Sequence, residues 1–200
     1  MHWVTVGSLG AALLFAARAE AQHSLCTTNY YSVTGATLRE ISQSLAAARP
    51  SRTKSNHDGY TVWNVTWRFS TLPVANGCRL STFTTSTTIS ITLPRWVAPT
   101  NASDTVKADW QRYIHVLGQH EYRHAQFGLA AAGEIQRRIK EVGDEPNCDN
   151  LRQRVQALCQ SIVQTHKQLD DAYDARTQHG ATEGVRLRPE RSPDQRRNRF

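Results

Sequence analysis

Beyond its first residues, the 200-residue chain lacks any apolar run long enough to cross a membrane as a helix. The first residues are apolar from Trp3 to Ala17, interrupted by threonine, serine and glycine, and Ala19-Glu20-Ala21 follows with the small-x-small pattern of a cleavage site. These features predict a secretory signal peptide over residues 1–21, cleaved after Ala21, although no lysine or arginine precedes the apolar run. An N-terminal membrane anchor is the alternative, which the shortness of the run disfavours.

Cysteine is scarce, and no two of the four cysteines have the close Cys-x-x-Cys spacing of a thiolate zinc site. An even number of cysteines in an exported chain predicts two disulfides. Cys148 and Cys159 would lie about 16 Å apart along one helix, whereas a disulfide needs Cα atoms within about 7 Å. The favoured pairing is therefore Cys78–Cys148 together with Cys26–Cys159.

Acidic residues are outnumbered by basic ones, and the formal net charge is +7. Much of this excess lies between Arg186 and Phe200, a segment that contains six arginines, two prolines and almost no apolar residue. Such a composition predicts a disordered basic tail over residues 183–200, after a single domain over residues 22–182. No aromatic residues are interleaved with the basic ones for base stacking, so no nucleic-acid partner is expected.

Alternating apolar residues predict strands in the first half of the chain. Residues 60–69 alternate most regularly, and residues 30–33 predict a shorter strand. A third strand is predicted over residues 80–93, after a turn at Asn76-Gly77 and before Pro94, which should end it. The expected result is a small antiparallel sheet.

Three helices are predicted around this sheet. Thr37 and Glu40 form a capping box that should start the first helix, which should end before Pro50. The second helix should begin at Ser103-Asp104, and the third should run from about residue 149 to about residue 175. Because the link between the last two is short, they should form an antiparallel hairpin. The predicted fold class is α+β, with the sheet and the first helix packed on this two-helix hairpin.

Two imidazoles interrupt the apolar stripe of the second helix. Between Leu117 and Phe127 the inward positions are His120 and His124, which form an H-E-x-x-H pattern with Glu121. Residues four apart lie above one another on a helix, so both imidazoles can reach one ion. A chain of this length with eight histidines and eight glutamates would contain on the order of 0.01 such patterns by chance.

The pattern predicts a zincin-like site, in which His120 and His124 bind zinc and the zinc activates a bound water. Glu121, next to the first ligand, would take a proton from that water as the general base of peptide hydrolysis. The other interpretation is a polar helix face that matches the pattern by chance, which the register on the apolar stripe disfavours.

The residues alone leave the third protein ligand open. Phe127 and Ala130 occupy the positions where some such sites supply a glycine and a further histidine, and the third helix contains no glutamate. His179, which precedes Gly180 in an expected turn, could swing back toward the metal. Folding the helix pair back on itself brings four other candidates opposite the motif, namely His166, Asp170, Asp171 and Asp174.

Several of these residues occur in a recognisable order. His120-Glu121-x-x-His124 is followed by Tyr173-Asp174-x-x-Thr177-x-His179-Gly180, and Trp63-x-x-x-Trp67 and Gly77-Cys78-Arg79 come earlier. Together they resemble a bacterial family of secreted zinc-dependent proteases, known from its motif and otherwise described as a domain of unknown function. The resemblance covers most of residues 28–185. It implies export, a zinc site at His120 and His124, and His179 as the third ligand, but little about the substrate.

Other polar residues near the motif have competing interpretations. Asp174 could orient a ligand imidazole, bind the metal itself, or pair with Arg176 or Arg123. Tyr173 could donate to an oxyanion, although packing against the sheet is the simpler interpretation. His115 and His166 are expected to face solvent.

The predicted function is that of a secreted or periplasmic zinc-dependent peptidase acting on proteins or peptides. One alternative is a non-catalytic periplasmic zinc-binding or envelope-assembly module, which a closed four-ligand site would favour because catalysis needs an open position. Another is a zinc amidase that acts on cell-wall peptides. No membrane span is expected once the signal peptide is removed.

Overall fold

A computed structural model of the chain describes residues 20–50 and 57–187. The signal peptide predicted over residues 1–21 lies almost wholly outside these ranges, as does the tail from residue 188 onward. The described part has a mixed α+β fold, as predicted. Its elements are β1 (Glu20–Val33), α1 (Leu38–Ala48), β2 (Tyr60–Val74), β3 (Gly77–Trp96), α2 (Asp104–Ile139), α3 (Cys148–Thr177) and a short 3-10 helix (Ala181–Glu183).

The three-stranded sheet is mixed, with β3 in the centre. β3 pairs antiparallel with β2 across the hairpin turn and parallel with β1. The prediction of an antiparallel sheet is therefore right for β2 and β3 and wrong for β1. Because α1 separates β1 from β2 in the chain, no tight turn forces these two strands to pair. β2 then reverses direction at the hairpin, so β3 runs parallel to β1.

Two strands extend beyond their predicted ends. β1 begins at Glu20, and the residues ahead of Tyr30 pair with β3 although they are exposed from residue 23 onward. Because these residues show no apolar alternation, the sequence pattern did not predict this part of the strand. β3 continues through Pro94, which was predicted to end it, and reaches Trp96. β2 pairs with β3 only as far as Thr92, so Pro94 has a single neighbouring strand, which tolerates the missing backbone N–H.

The helices form where the sequence predicts them. The capping box of Thr37 and Glu40 is present, and Ser103 caps the start of α2. α2 and α3 pack on each other and on one face of the sheet, with a core of strand and helix residues that includes Trp63, Val65, Phe83, Ile89, Ile135, Leu151 and Val155. Within the described ranges, no helix has the length and apolar composition needed to span a bilayer.

α2 approaches β2 closely at Gly128. A Cβ atom at this position would lie 2.8 Å from the Cβ of Trp63, a distance at which one of the two elements would have to shift. The glycine therefore lets the helix lie directly on the strand. This contact is one turn beyond His124, and it sets the depth of the motif relative to the sheet.

One of the two predicted disulfides is present. Cys78 and Cys148 are bonded, with their Cα atoms 5.0 Å apart, and they join the start of β3 to the start of α3. The predicted partner pair, Cys26 and Cys159, is wrong, because both are free thiols. Cys159 is fully buried in the core, whereas Cys26 is exposed on β1, so their side chains cannot meet.

After α3 the chain turns back across α2 as a segment that we call the C-terminal strap, residues 178–187. Its first three residues have left-handed backbone conformations, with φ of 50°, 53° and 79°. Val185 and Leu187 pack against the apolar cluster at the start of α2, and Arg112 donates hydrogen bonds to two strap carbonyl oxygens at 3.2 and 2.7 Å. Residues 183–187, predicted to belong to the tail, are therefore packed on the domain through these two apolar side chains.

Candidate metal centre

The two histidines of the motif lie on the inward face of α2, as the gap in its apolar stripe predicts. His120 is 3% exposed and His124 is 8% exposed. They are one helical turn apart, so their rings lie one above the other along the helix and contact each other edge to face. From the facing helix α3, Asp170 and Asp174, also one turn apart, reach the same region.

Three metal-ligand atoms converge between α2 and α3. His120 Nε2 lies 3.2 Å from His124 Nε2 and 3.2 Å from Asp174 Oδ1, and His124 Nε2 lies 3.1 Å from the same carboxylate oxygen. Ligands roughly 2.0–2.1 Å from a tetrahedral zinc lie about 3.3 Å from one another, so the spacing fits three corners of such a site. The donor set of two imidazoles and one carboxylate suits zinc and other transition metals alike.

The other ring nitrogen of each histidine contacts a carboxylate. His124 Nδ1 lies 2.6 Å from Asp170 Oδ1, and His120 Nδ1 lies 2.9 Å from Glu183 Oε2. Because an ionised carboxylate can only accept a hydrogen bond, each Nδ1 carries a proton. Both Nε2 atoms face the Asp174 carboxylate, so either a proton on the ring or a metal ion lies between them and that oxygen.

The carboxylates around the cluster change the pKa values of its histidines. Burial lowers the pKa of His124, but hydrogen bonds to Asp170 and Asp174 outweigh burial and raise it to about 10. The pKa of His120 is raised in the same way, by Asp174 and Glu183 against burial. For Asp174 burial raises the pKa, yet the two imidazoles hold it well below its usual range. Each of these pKa changes has the same cause, which is the contact between the imidazoles and the carboxylates.

Glu121 is buried beside this cluster, with only 3% of its surface exposed. Thr61 of β2 donates a hydrogen bond to its Oε2 at 2.9 Å and also contacts its backbone oxygen at 3.0 Å. Gly59 leaves room for the carboxylate, since a Cβ atom there would lie 2.7 Å from Oε1. Burial raises the pKa of Glu121, and the Thr61 hydrogen bond and the two imidazoles oppose that rise.

A cleft of about 340 Å³ opens onto the cluster and Glu121. Its walls come from the start of β2, from the facing sides of α2 and α3, and from the C-terminal strap. Among the described residues, the side chains that line it are mostly carboxylates and imidazoles, and none is a lysine or arginine. Its carboxylate and imidazole residues are His57, Asp58, His120, Glu121, His124, Asp170, Asp171, Asp174 and His179.

His179, the third ligand that the family resemblance implies, lies beside the cluster rather than within it. Its Nδ1 is 3.0 Å from the outer oxygen of Asp174, Oδ2, and its ring stacks on His57 with 3.7 Å between centroids. The left-handed backbone at residues 178–180 turns the chain so that His179 covers Asp174 from the cleft side. Asp174, the alternative third ligand, occupies the third corner, whereas Asp171 lines the cleft outside the group.

Tyr173 lies against the first histidine of the motif, outside the group of three ligand atoms. It does not line the cleft with Glu121, because its hydroxyl lies on the far side of His120, 3.0 Å from Nδ1, and donates to Glu183. Its ring contacts the rings of His120, His124 and Phe127 on α2 rather than the sheet. The hydroxyl has His120 and Glu183 as its partners, and its donation to an oxyanion stays a prediction.

The two remaining predicted histidines differ in outcome. His115 is exposed, as expected. His166 was expected to face solvent but is buried, with its Nε2 2.9 Å from Glu134 Oε2. It lies one turn before Asp170 on α3 and therefore faces α2, where Glu134 is the partner of Nε2, while Nδ1 is buried without a hydrogen-bond partner among the described residues.

Three residues of the site escaped prediction from the sequence. Glu183 was placed in the tail because its surroundings are polar, and only its position four residues after His179 hinted that it could return to the site. Thr61 occupies a polar position in an alternating strand, and the alternation predicts that such positions face solvent. Gly59 follows a polar loop, and nothing in its neighbours shows that a buried carboxylate needs the space.

The comparison with known families agrees with the extent of the resemblance. A family described as bacterial protein of unknown function (DUF922) matches residues 28–180. No curated protein and no solved structure matches the chain. The matched range contains His120, Glu121, His124 and Asp174, and the family description assigns no activity to them.

Proposed function

We propose that this protein, which belongs to the bacterial DUF922 family, is a secreted zinc-dependent peptidase. The observation that carries the proposal is the convergence of two imidazole nitrogens and one carboxylate oxygen at 3.1–3.2 Å, beside a buried glutamate in an open cleft. The Cys78–Cys148 disulfide is compatible with a location outside the cytoplasm and supports the export part of the proposal.

The metal would be held by His120, His124 and Asp174. Three protein ligands leave a fourth tetrahedral position open, as catalytic zinc sites require. When bound there, zinc supplies a Lewis acid that polarises a carbonyl and lowers the pKa of water. Both Nε2 atoms and Asp174 Oδ1 face this position, and each Nδ1 can keep its present carboxylate partner when the ion replaces protons on Nε2.

Glu121 is the proposed general base. Its burial raises its pKa from the usual carboxyl range, which makes it a better proton acceptor at neutral pH. Thr61 holds one carboxylate oxygen, and Gly59 gives the other room on the cleft side. In this role Glu121 takes a proton from the attacking water and delivers it to the leaving amine nitrogen.

The first experiment measures the metal content of the purified mature domain by elemental mass spectrometry. We expect about one zinc per chain and its loss in His124→Ala. Asp174→Ala should lose the metal as well, whereas His179→Ala should retain it if Asp174 is the third ligand. A chain that takes up no zinc at neutral pH would contradict the proposal.

The second experiment measures hydrolysis of casein and of a quenched-fluorescence peptide library, with peptidoglycan fragments assayed in parallel. Glu121→Gln should lower kcat by about 10³-fold while zinc content stays at the wild-type level. Cleavage of cell-wall peptides alone would favour an amidase. Zinc without turnover of any of these substrates would favour the non-catalytic module, in which His179 closes the fourth position.

A further inference from the structure

Each histidine of the metal centre is the end of a three-residue chain of hydrogen bonds. On one side the Trp63 indole N–H donates to Asp170 Oδ2 at 2.7 Å, and Asp170 Oδ1 accepts from His124 Nδ1 at 2.6 Å. On the other side the Tyr173 hydroxyl donates to Glu183 at 2.9–3.0 Å, and Glu183 Oε2 accepts from His120 Nδ1 at 2.9 Å. Both chains therefore have the same order of aromatic donor, carboxylate and imidazole.

The two carboxylates have few other partners that could explain their positions. Asp170 uses one oxygen for Trp63 and the other for His124, so both of its oxygens are occupied by this chain. Glu183 lies in the C-terminal strap, outside the long helices, and its side-chain hydrogen bonds within the described residues are to Tyr173 and His120. No lysine or arginine among the described residues forms a salt bridge with either carboxylate, and Arg123 acts on Glu183 only through its charge.

This arrangement has a defined effect on a metal site. A carboxylate on Nδ1 fixes the ring orientation, keeps the proton off Nε2 and makes that nitrogen a stronger ligand. The aromatic donors in turn hold each carboxylate in place and prevent it from rotating toward the ion. Trp63 comes from β2 and Glu183 from the strap, so the sheet and the chain's last described segment both act on the ligands.

We infer that Asp170 and Glu183 are positioning residues that set the metal affinity of the site, with Trp63 and Tyr173 as the donors that hold them. The inference rests on the proposed zinc site and goes beyond its ligands. It assigns a role to four residues that lie outside the group of three ligand atoms.

The test is zinc affinity, measured by competition with a chromophoric chelator on the full mature chain. Asp170→Asn and Glu183→Gln remove one charge each and should weaken zinc binding by roughly 10- to 100-fold. Trp63→Phe and Tyr173→Phe remove only the donor and should weaken it by roughly two- to tenfold. The thermal unfolding midpoint of each variant in excess chelator separates a loss of affinity from a loss of folding.

Two matched controls are available in the chain. Glu134→Gln breaks a similar carboxylate–imidazole pair, with His166, which is no metal ligand. Trp67→Phe removes an indole N–H on the same strand, which donates to Gln156 Oε1 at 2.9 Å. Both should leave zinc affinity within twofold of the wild type, a range below that expected for any of the four test variants.

The outcomes separate this inference from the proposed function. Zinc binding by the wild type with unchanged affinity in Asp170→Asn and Glu183→Gln would overturn the inference and leave the proposed site intact. Equal losses in the test variants and in the controls would also overturn it, because they would show a general packing effect. If a carboxylate variant does not fold, the Phe variants decide. A wild-type chain that binds no zinc would overturn both.

Discussion

At the scale of single residues, the environment of Glu121 distinguishes it from an ordinary buried carboxylate. One oxygen is held by Thr61, and the other has its space provided by the missing side chain of Gly59. The glycine has no left-handed backbone, so its absence of a Cβ matters for space alone. The position of the proposed base therefore depends on Gly59, the residue that precedes β2.

Gly59→Ala should displace the Glu121 carboxylate, because the new Cβ would lie 2.7 Å from Oε1. We expect kcat for peptide hydrolysis to fall by roughly 10- to 100-fold, since a misplaced catalytic group costs about this much. Zinc content should not change. Gly143→Ala is the matched control, as its Cβ would meet nothing within 4 Å. Unchanged kcat in Gly59→Ala would show that hydrolysis does not depend on the exact position of the Glu121 carboxylate.

The sequence predicts the two candidate ligands on α2, but it leaves open which residue of α3 or of the following turn is the third. His120 and His124 interrupt a helical apolar stripe, and that register alone predicts two inward imidazoles. Asp174 and His179 could not be ranked, because the choice depends on the left-handed turn at residues 178–180. Glu183 was beyond prediction, since only the folded strap brings it to His120.

At the scale of elements, the crossing of α2 over β2 determines where the motif lies. Gly128 allows this close contact, and the Trp63 side chain that packs there also donates to Asp170. One aromatic residue thus connects the packing of the helix on the sheet with the orientation of His124.

Gly128→Ala should destabilise the fold by about 1–3 kcal/mol, because its Cβ would lie 2.8–2.9 Å from Trp63 carbons in a packed interface. Urea unfolding, followed by circular dichroism, measures the change. Gly133→Ala on the same helix has no close neighbour and should instead stabilise by up to about 1 kcal/mol through helix propensity. Similar effects of both substitutions would contradict the close contact.

The elements themselves were largely predictable, whereas their pairing was not. The capping residues Thr37 and Ser103 and the helical apolar spacing located the helices. The partner of β1 could not be predicted, because its polar residues 23–30 carry no face signal. The prediction that Pro94 ends β3 was wrong, because it assumes a neighbouring strand on both sides of the proline.

At the scale of the whole molecule, one covalent bond links the two halves of the fold. Cys78 opens β3 and Cys148 opens α3, with a sequence separation of 70 residues. Backbone hydrogen bonds between Cys78 and Glu145, at 2.8 and 2.9 Å, support the same junction. The helix pair that carries the candidate metal centre is thereby fixed to the sheet at the end remote from the cleft.

Replacing both bonded cysteines, Cys78→Ser with Cys148→Ser, should lower the free energy of unfolding by about 4 kcal/mol, as expected for closure of a loop of this length. Denaturant unfolding of the purified chain measures the loss. Cys26→Ser, at an exposed free thiol, should have no effect. A loss well under 1 kcal/mol in the double variant would show that the junction is held by its backbone contacts alone.

The order of the site's residues along the chain determines when the site can form during synthesis. The entrance residues near 59–61 are made first, the imidazoles at 120 and 124 next, and the carboxylates at 170, 174 and 183 last. A chain that is synthesised from its amino end cannot assemble the cluster until the strap has been made. The candidate metal centre is therefore absent from the nascent chain while the sheet and most of the helix pair already exist.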